Sequence, residues 1–174
     1  MKHKLLLLYS WFVWLITFFI PDMKITMRFR GWLYFLPFKT SSENIQIANS
    51  VRLLGLENIK LGSDVYIASG VVINARGKVF LSDQVMIGHE TVVVAGNHTK
   101  LNGSFRFGPS VAGDIHIGFG SWIGGNCTIT AGSLIGKGVL VGANSLVRGE
   151  LNSDSFYAGV PVRLIRSNEI IQHE

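Results

Sequence analysis

Between Ile117 and Val147 an aliphatic residue recurs every six positions without a break: Ile117, Ile123, Ile129, Ile135, Val141 and Val147. One place after them stand Gly118, Gly124, Thr130, Gly136 and Gly142. Four places after them stand Ser121, Cys127, Ser133, Val139 and Ser145. A period of six is neither the 3.6 of a helix nor the plain alternation of an amphipathic strand. With β-branched residues at one position it marks a β-solenoid, an architecture built by stacking identical short units. Each hexapeptide makes one strand and one turn, and three make a triangular coil. The aliphatic side chain points inward and stacks on its counterparts in the neighbouring coils. The small residue fits where the wall bends, and glycine relieves the backbone at the turns.

The same period reaches back to Ile47. Ile47 and Leu53 are in step; the phase slips by two to Leu61, Ile67 and Ile73, and by two again to Leu81, Ile87 and Val93. Each slip predicts a turn two residues longer than the hexapeptide minimum. Val93 and Ile117 are 24 residues apart, four times six, so the phase survives the interval. Residues 97–113 (NHTKLNGSFRFGPSVAG) lack inward aliphatics and are expected to leave one corner of the coil as a loop. A long loop on a rigid scaffold usually carries function. On this reading the period ends at Val147, and residues 156–166 (FYAGVPVRLIR) run on to a short polar tail.

A chain of 174 residues is one domain with room for an appendage. Its glycine is periodic, which argues against disorder. The single Cys127 excludes an intrachain disulfide framework and suits a reducing compartment. It occupies the small-residue slot of the repeat and has no cation beside it in sequence, so it reads as a core residue rather than a reactive thiol. Residues 1–40 hold six lysines and arginines against Asp22 alone; the rest of the chain holds ten basic and ten acidic residues. The whole net charge of +5 therefore belongs to the N-terminal segment. The solenoid has no basic stripe with interleaved aromatics, so no nucleic-acid partner is expected.

Residues 5–20 (LLLLYSWFVWLITFFI) carry no charge and are closed by Pro21. A spanning helix takes roughly 20 apolar residues, so this run is short. Lys2 and Lys4 suit a signal-peptide n-region, but no small-x-small cleavage site follows. Basic residues flank both ends, which leaves orientation open. Residues 24–38 (KITMRFRGWLYFLPF) alternate basic with aromatic side chains, a mix that suits a lipid headgroup region. The leading expectation for residues 1–44 is a membrane-surface anchor. A helix capping the solenoid is the plainer alternative, and a single span the third. The solenoid domain is placed at 45–166 and the tail at 167–174.

Five histidines occur. His3 and His173 are terminal and expected to be solvated. His89 follows a turn, and His116 precedes inward Ile117 and so faces out of the wall; both read as surface residues. His98 stands at the base of the expected loop, where an imidazole can meet a substrate and a neighbouring subunit.

The run WIGGNCTITAGSLIGKGVLVGANSLV (122–147), followed by AGVPVRLIR (158–166), resembles the hexapeptide-repeat acyltransferases. The resemblance points to the galactoside and maltose O-acetyltransferases and their relatives in surface-polysaccharide biosynthesis, and covers roughly residues 45–166. It implies a left-handed parallel β-helix, a homotrimer and acetyl-CoA as co-substrate. The family sets its catalytic histidine 24 residues before the Trp of its W-I-G element, and His98 lies 24 before Trp122. His98 is thus implied as general base, taking the proton of a sugar hydroxyl as it attacks the thioester. The amide of Gly125 is implied as donor to the oxyanion. Cofactor contacts are implied at Trp122, Gly125, Ala143, Arg148, Gly149, Arg163 and Arg166. Arginine's fixed fork of donors suits the coenzyme's phosphates. Pro161 is expected to set the turn that returns the chain across the last coil.

Three departures bear on the acceptor. Tyr66 matches an acceptor-site tyrosine, but Ala68 stands where the sugar acetyltransferases have an asparagine, and Arg76 where they have an acceptor-binding aspartate. The family's helical acceptor-binding segment is replaced by the apolar, basic one described above. The expected activity is therefore O-acetylation of a sugar in bacterial capsule, O-antigen or exopolysaccharide synthesis. The expected acceptor is a carbohydrate or lipid-linked sugar, and the expected place the cytoplasmic face of the membrane. Rival readings are N-acetylation of a nucleotide-linked amino sugar, O-acetylation of serine, and a non-catalytic scaffold. A metal hydratase using His89, His98 and His116 needs three convergent ligands. Nine-residue spacing puts His89 and His98 on different walls, so no metal is expected.

Overall fold

The computed structural model describes residues 2–38 and 41–167. Its body is a parallel β-solenoid of five complete coils and the first strand of a sixth. Inward residues stack in register up each wall. The first wall runs Ile47, Ile67, Ile87, Ile123, Val141 and Tyr157. The second runs Leu53, Ile73, Val93, Ile129 and Val147. The third runs Leu61, Leu81, Ile117, Ile135 and Leu151. Nearly all are fully buried. Each is worth about 1.5–3 kcal/mol of transfer from water, so the stack is the main source of stability.

The corners follow the repeat. Ser121, Ser133 and Ser145 are buried where walls bend, and their hydroxyls serve the backbone there. Ser121 Oγ donates to Gly136 O (2.8 Å) and accepts from Val139 N (3.0 Å). Cys127 is buried in the equivalent slot. After each first-wall strand comes a small residue: Ala48, Ala68, Gly88, Gly124, Gly142 and Ala158. A Cβ on Gly124 would lie 2.6 Å from Ala143 N, so the coils meet backbone to backbone at this corner.

Both predicted phase slips fall at the corner between second and third walls. In the first coil the extra length forms a 3-10 turn, Leu56–Asn58; in the second it passes through Gly77. In the third coil the same corner throws out the long loop. Its stem is an antiparallel hairpin in which Gly96–His98 pairs with Ser110–Ala112. The period does not end at Val147. Leu151, only four residues on, pairs beside Ile135 and is buried, and Tyr157 resumes the first wall beside Val141. This last corner is two residues shorter than the hexapeptide norm, which hides the repeat from a fixed-period reading.

Helices α1 (Lys2–Thr17) and α2 (Lys24–Phe35) pack on the first coil and on each other. Leu6, Ser10, Val13 and Thr17 form the buried stripe of α1. In α2, a Cβ on Gly31 would lie 2.2 Å from Ile45 O, so the helix backbone rests directly on the chain entering the solenoid. Residues 24–38 are therefore not uniformly an interfacial segment. Arg30 is 1% exposed. It donates to Asp22 Oδ1 (3.0 Å), Thr17 Oγ1 (3.2 Å) and the carbonyls of Thr17 (3.2 Å), Ile20 (3.0 Å) and Ile47 (2.6 Å). A guanidinium can enter the core here because three carbonyls, at the end of α1, in the turn after it and at the edge of the solenoid, converge on it. Among the described residues no helix is long and apolar enough to cross a membrane. Lys39 and the tail from residue 168, with His173, lie outside the described residues.

Candidate active site

His98 ends the first strand of the hairpin stem, at the corner between second and third walls. Its ring is exposed, and among the described residues it makes no hydrogen bond. It lines a cavity of about 760 Å³ together with Asn58, Asn74, Arg76, Ser110 and, from α1, His3 and Leu7. The stem of Arg76 lies against Gly96, where a Cβ would come within 3.0 Å of it. The Arg76 guanidinium has no acidic or hydrogen-bonding partner among the described residues. The sequence marked Arg76 as a departure; the structure puts it in the cavity of His98. Asn58, Asn74 and His3 reach the cavity only through coil stacking and helix packing, and no sequence signal marks them. His3 also contacts Glu57. The hairpin beyond the stem closes tightly: a Cβ on Gly108 would lie 1.7 Å from Thr99 O.

A second feature lies on the corner between first and second walls. Gly125 and Ala143 sit one above the other, with Asn144 N donating to Gly125 O (2.9 Å). His89 lies in the coil below, its carbonyl accepting from Asn126 N (2.7 Å). The N–H groups of His89, Gly125 and Ala143 have no acceptor among the described residues. With the small corner residues beside them, they form a ladder of free donors along a shallow edge. Such a row can receive the carbonyl oxygens of an extended chain, or one developing oxyanion.

The remaining candidates divide between these places. Trp122 and Tyr66 face outward from the first wall, in one register row of Tyr66, Met86, Trp122, Leu140, Phe156 and Arg166. Tyr66 is half-buried and lies outside the His98 cavity of the same chain. Arg166 stacks over Phe156 (6.0 Å), and Arg163 is exposed, with Nη1 donating to Val162 O (3.1 Å). Both belong to the strand Arg163–Ser167, which returns antiparallel along the first wall after a turn holding the cis Val160–Pro161 bond. Arg148 and Gly149 lie at the second-to-third corner, above the loop. One chain therefore sets His98 and the Gly125–Ala143 ladder at opposite edges of the second wall and does not bring them together. His116 stacks on Phe80 (4.4 Å between rings) outside the third wall, so His89, His98 and His116 occupy three separate places.

Residues 114–149 match the model of the bacterial transferase hexapeptide, six repeats. No curated protein matches significantly. Among solved structures, a hexapeptide-repeat acetyltransferase from Vibrio cholerae O1 biovar eltor, complexed with acetyl coenzyme A, is 23% identical. The match covers 96% of this chain and 89% of that one, with a TM-score of 0.80. A maltose O-acetyltransferase from Clostridium difficile 630 is 22% identical over 97% and 91%, with a TM-score of 0.81. A galactoside acetyltransferase in complex with coenzyme A is 24% identical over 94% and 81%, with a TM-score of 0.82. The class is thus the hexapeptide-repeat fold. The chain shares it, helices and loop included, with acetyltransferases over nearly its whole described length.

Proposed function

We propose that this protein transfers acetyl from acetyl-CoA to a sugar hydroxyl, of the kind that decorates bacterial surface polysaccharides, and that it works as a homotrimer. The observation that carries this reading is His98: an imidazole with no hydrogen bond among the described residues, exposed to a cavity large enough for a sugar. The donor ladder at Gly125 and Ala143 supports it, and so does the fold shared with acetyltransferases that bind acetyl-CoA or CoA.

The chemistry needs few groups. His98 takes the proton of the acceptor hydroxyl as its oxygen attacks the thioester carbon. The tetrahedral oxyanion is held by the free Gly125 N–H. The C–S bond then breaks, the C–O bond is kept, and the proton passes from the imidazole to the departing thiolate. Coenzyme A and an acetyl ester are the products. We assign the coenzyme's phosphates to Arg163 and Arg166, on the resemblance noted above, and the border of the same ligand to Arg148 with Gly149 of a neighbouring copy.

Imidazole and ladder lie on opposite edges of one chain, so the site is complete only between copies. A cyclic trimer that sets the loop edge of one subunit beside the first corner of the next supplies three such sites. Leu101, Phe105, Phe107 and Val111 of the loop are exposed and give that contact its apolar surface. The test is His98→Ala. Transfer should fall about 10²-fold or more while the trimer persists, and near-normal turnover would refute the assignment. Mass spectrometry of the product should place the acetyl on oxygen.

A further inference from the structure

Helix α1 is apolar on both sides. One side packs on the solenoid, through Leu6, Ser10, Val13 and Thr17. On the other, Leu5, Leu8, Phe12, Leu15, Ile16 and Phe19 are 41–86% exposed. At about 100° per residue the five within the helix fall in an arc of roughly 100°, and Phe19 follows in the turn beyond Thr17. Helix α2 adds Ile25, Phe29, Trp32 and Leu36, all exposed and spaced on one stripe, with Phe29 and Trp32 stacked at 5.9 Å. A helix that is apolar all round is covered all round. A patch of this extent marks an interaction surface rather than ordinary exposed side chains.

Charge says what covers it. Neither helix contains an acidic residue, and Asp22 between them is taken up by Arg30. The exposed charges on the two helices are Lys4, Lys24 and Arg28, all basic. Apart from Asp22, the one exposed acid beside the patch among the described residues is Glu43, on the chain entering the solenoid, across from Arg28, Trp32 and Leu36. Aromatic and aliphatic side chains ringed by cations fit the boundary of an anionic bilayer. A second copy would offer the same cations and repel them. Among the described residues no helix is long enough to span: the 16 residues of α1 reach about 24 Å and a hydrocarbon core is about 30 Å thick. The bonds of Arg30 to the carbonyls of Thr17, Ile20 and Ile47 also hold both helices against the first coil.

The edge of α1 turned toward the loop bears on the substrate. His3 and Leu7 line the cavity of His98 and Arg76. The cavity therefore lies one helix diameter, about 10–12 Å, from the apolar face. Within it Arg76 offers a guanidinium with no partner among the described residues, a group suited to phosphate. We infer that the outer face of α1 and α2 docks on an anionic lipid surface, and that the cavity takes a sugar joined to a lipid through phosphate. The second half rests on the acetyl-transfer reading above; the docking does not.

The experiment is vesicle flotation of the full-length protein, with phosphatidylcholine alone and with an equimolar mixture of phosphatidylcholine and phosphatidylglycerol. The protein should float with the mixed vesicles, and less with phosphatidylcholine alone or at high salt. The double variant Phe12→Glu, Ile16→Glu should lose binding by about tenfold or more, with its coenzyme A affinity and oligomeric state unchanged. Docking is overturned if the wild type stays unbound or if the variant floats equally. It is also overturned if the variant loses its trimer while the wild type does not float, which assigns the face to a subunit contact. For the acceptor, radiolabelled acetyl-CoA is supplied with a polyprenyl-phosphate sugar in the mixed vesicles, or with the free sugar. Label should enter the lipid-borne sugar preferentially, and the double variant should lower that transfer alone. Equal labelling unaffected by the variant overturns the lipid-linked acceptor. Labelling of neither, with flotation intact, overturns the acceptor and leaves docking standing.

Discussion

Arg30→Met removes the guanidinium that joins the helical hairpin to the solenoid. Five hydrogen bonds go with it. Thr17 O retains Ile20 N at 3.1 Å, and Asp22 retains Asn49 N at 2.8 Å and Ser69 Oγ at 3.3 Å. The Ile47 carbonyl keeps no partner among the described residues, and Asp22, about a quarter exposed, is left without its cation. An unsatisfied buried acceptor costs about 1–3 kcal/mol, and breaking a buried charge pair about 3–5 kcal/mol. The two overlap, so the expected loss is about 3–5 kcal/mol. It falls on the docking of α1 and α2 and not on the coils, whose ladders contain none of these groups. Hydrogen exchange by mass spectrometry reads this directly. Amides of residues 2–35 should exchange about 10²- to 10⁴-fold faster, while those of residues 59–151 hold their wild-type rates. Arg30→Lys keeps the charge but not the fork and should fall between. Unchanged exchange in the helices of Arg30→Met would refute the reasoning.

Ile123→Ala opens a cavity between Ile87 and Val141 in the stack and should cost about 2–5 kcal/mol in denaturant titration. Gly124→Ala forces a Cβ to within 2.6 Å of Ala143 N. It should destabilise by about 1–3 kcal/mol, read as a lowered melting temperature. Burial pushes the Cys127 thiol pKa up. The folded state thus favours the neutral thiol: this contribution is present below the unfolded value of about 8.5 and is lost as pH rises through the folded one. The native protein should resist thiol labelling at about pH 8 and react after denaturation.

Much of the fold was readable because a solenoid repeats one local decision. A single aliphatic per wall, with a small residue at each bend, fixes strand, turn and register together, and Ile47 through Val147 all stand where the period puts them. The two phase slips gave the longer corners, and the missing aliphatics gave the loop. Leu151 escaped because its corner is short by two residues, and pairing with Ile135 restored a register that counting had lost. Arg30 escaped for a different reason. Its charge reads as solvent-facing until three carbonyls from separate elements are seen to converge on it.

The candidate site divides along the same line. By itself the sequence determined the solenoid and the loop, and it supplied His98 through motif spacing, and Gly125 and the arginines of the last strand through resemblance, as candidates. These are consequences of residue type at fixed intervals, which stacking turns into position. Only the tertiary structure decided what shares a space with what. It brought Arg76, Asn74 and α1 to the cavity of His98, and it set Gly125 and Ala143 a wall away. It also divided α1 into a face that packs and a face that does not. Those relations depend on how corners and helices lie across coils about twenty residues apart in sequence, a distance over which no local pattern carries information.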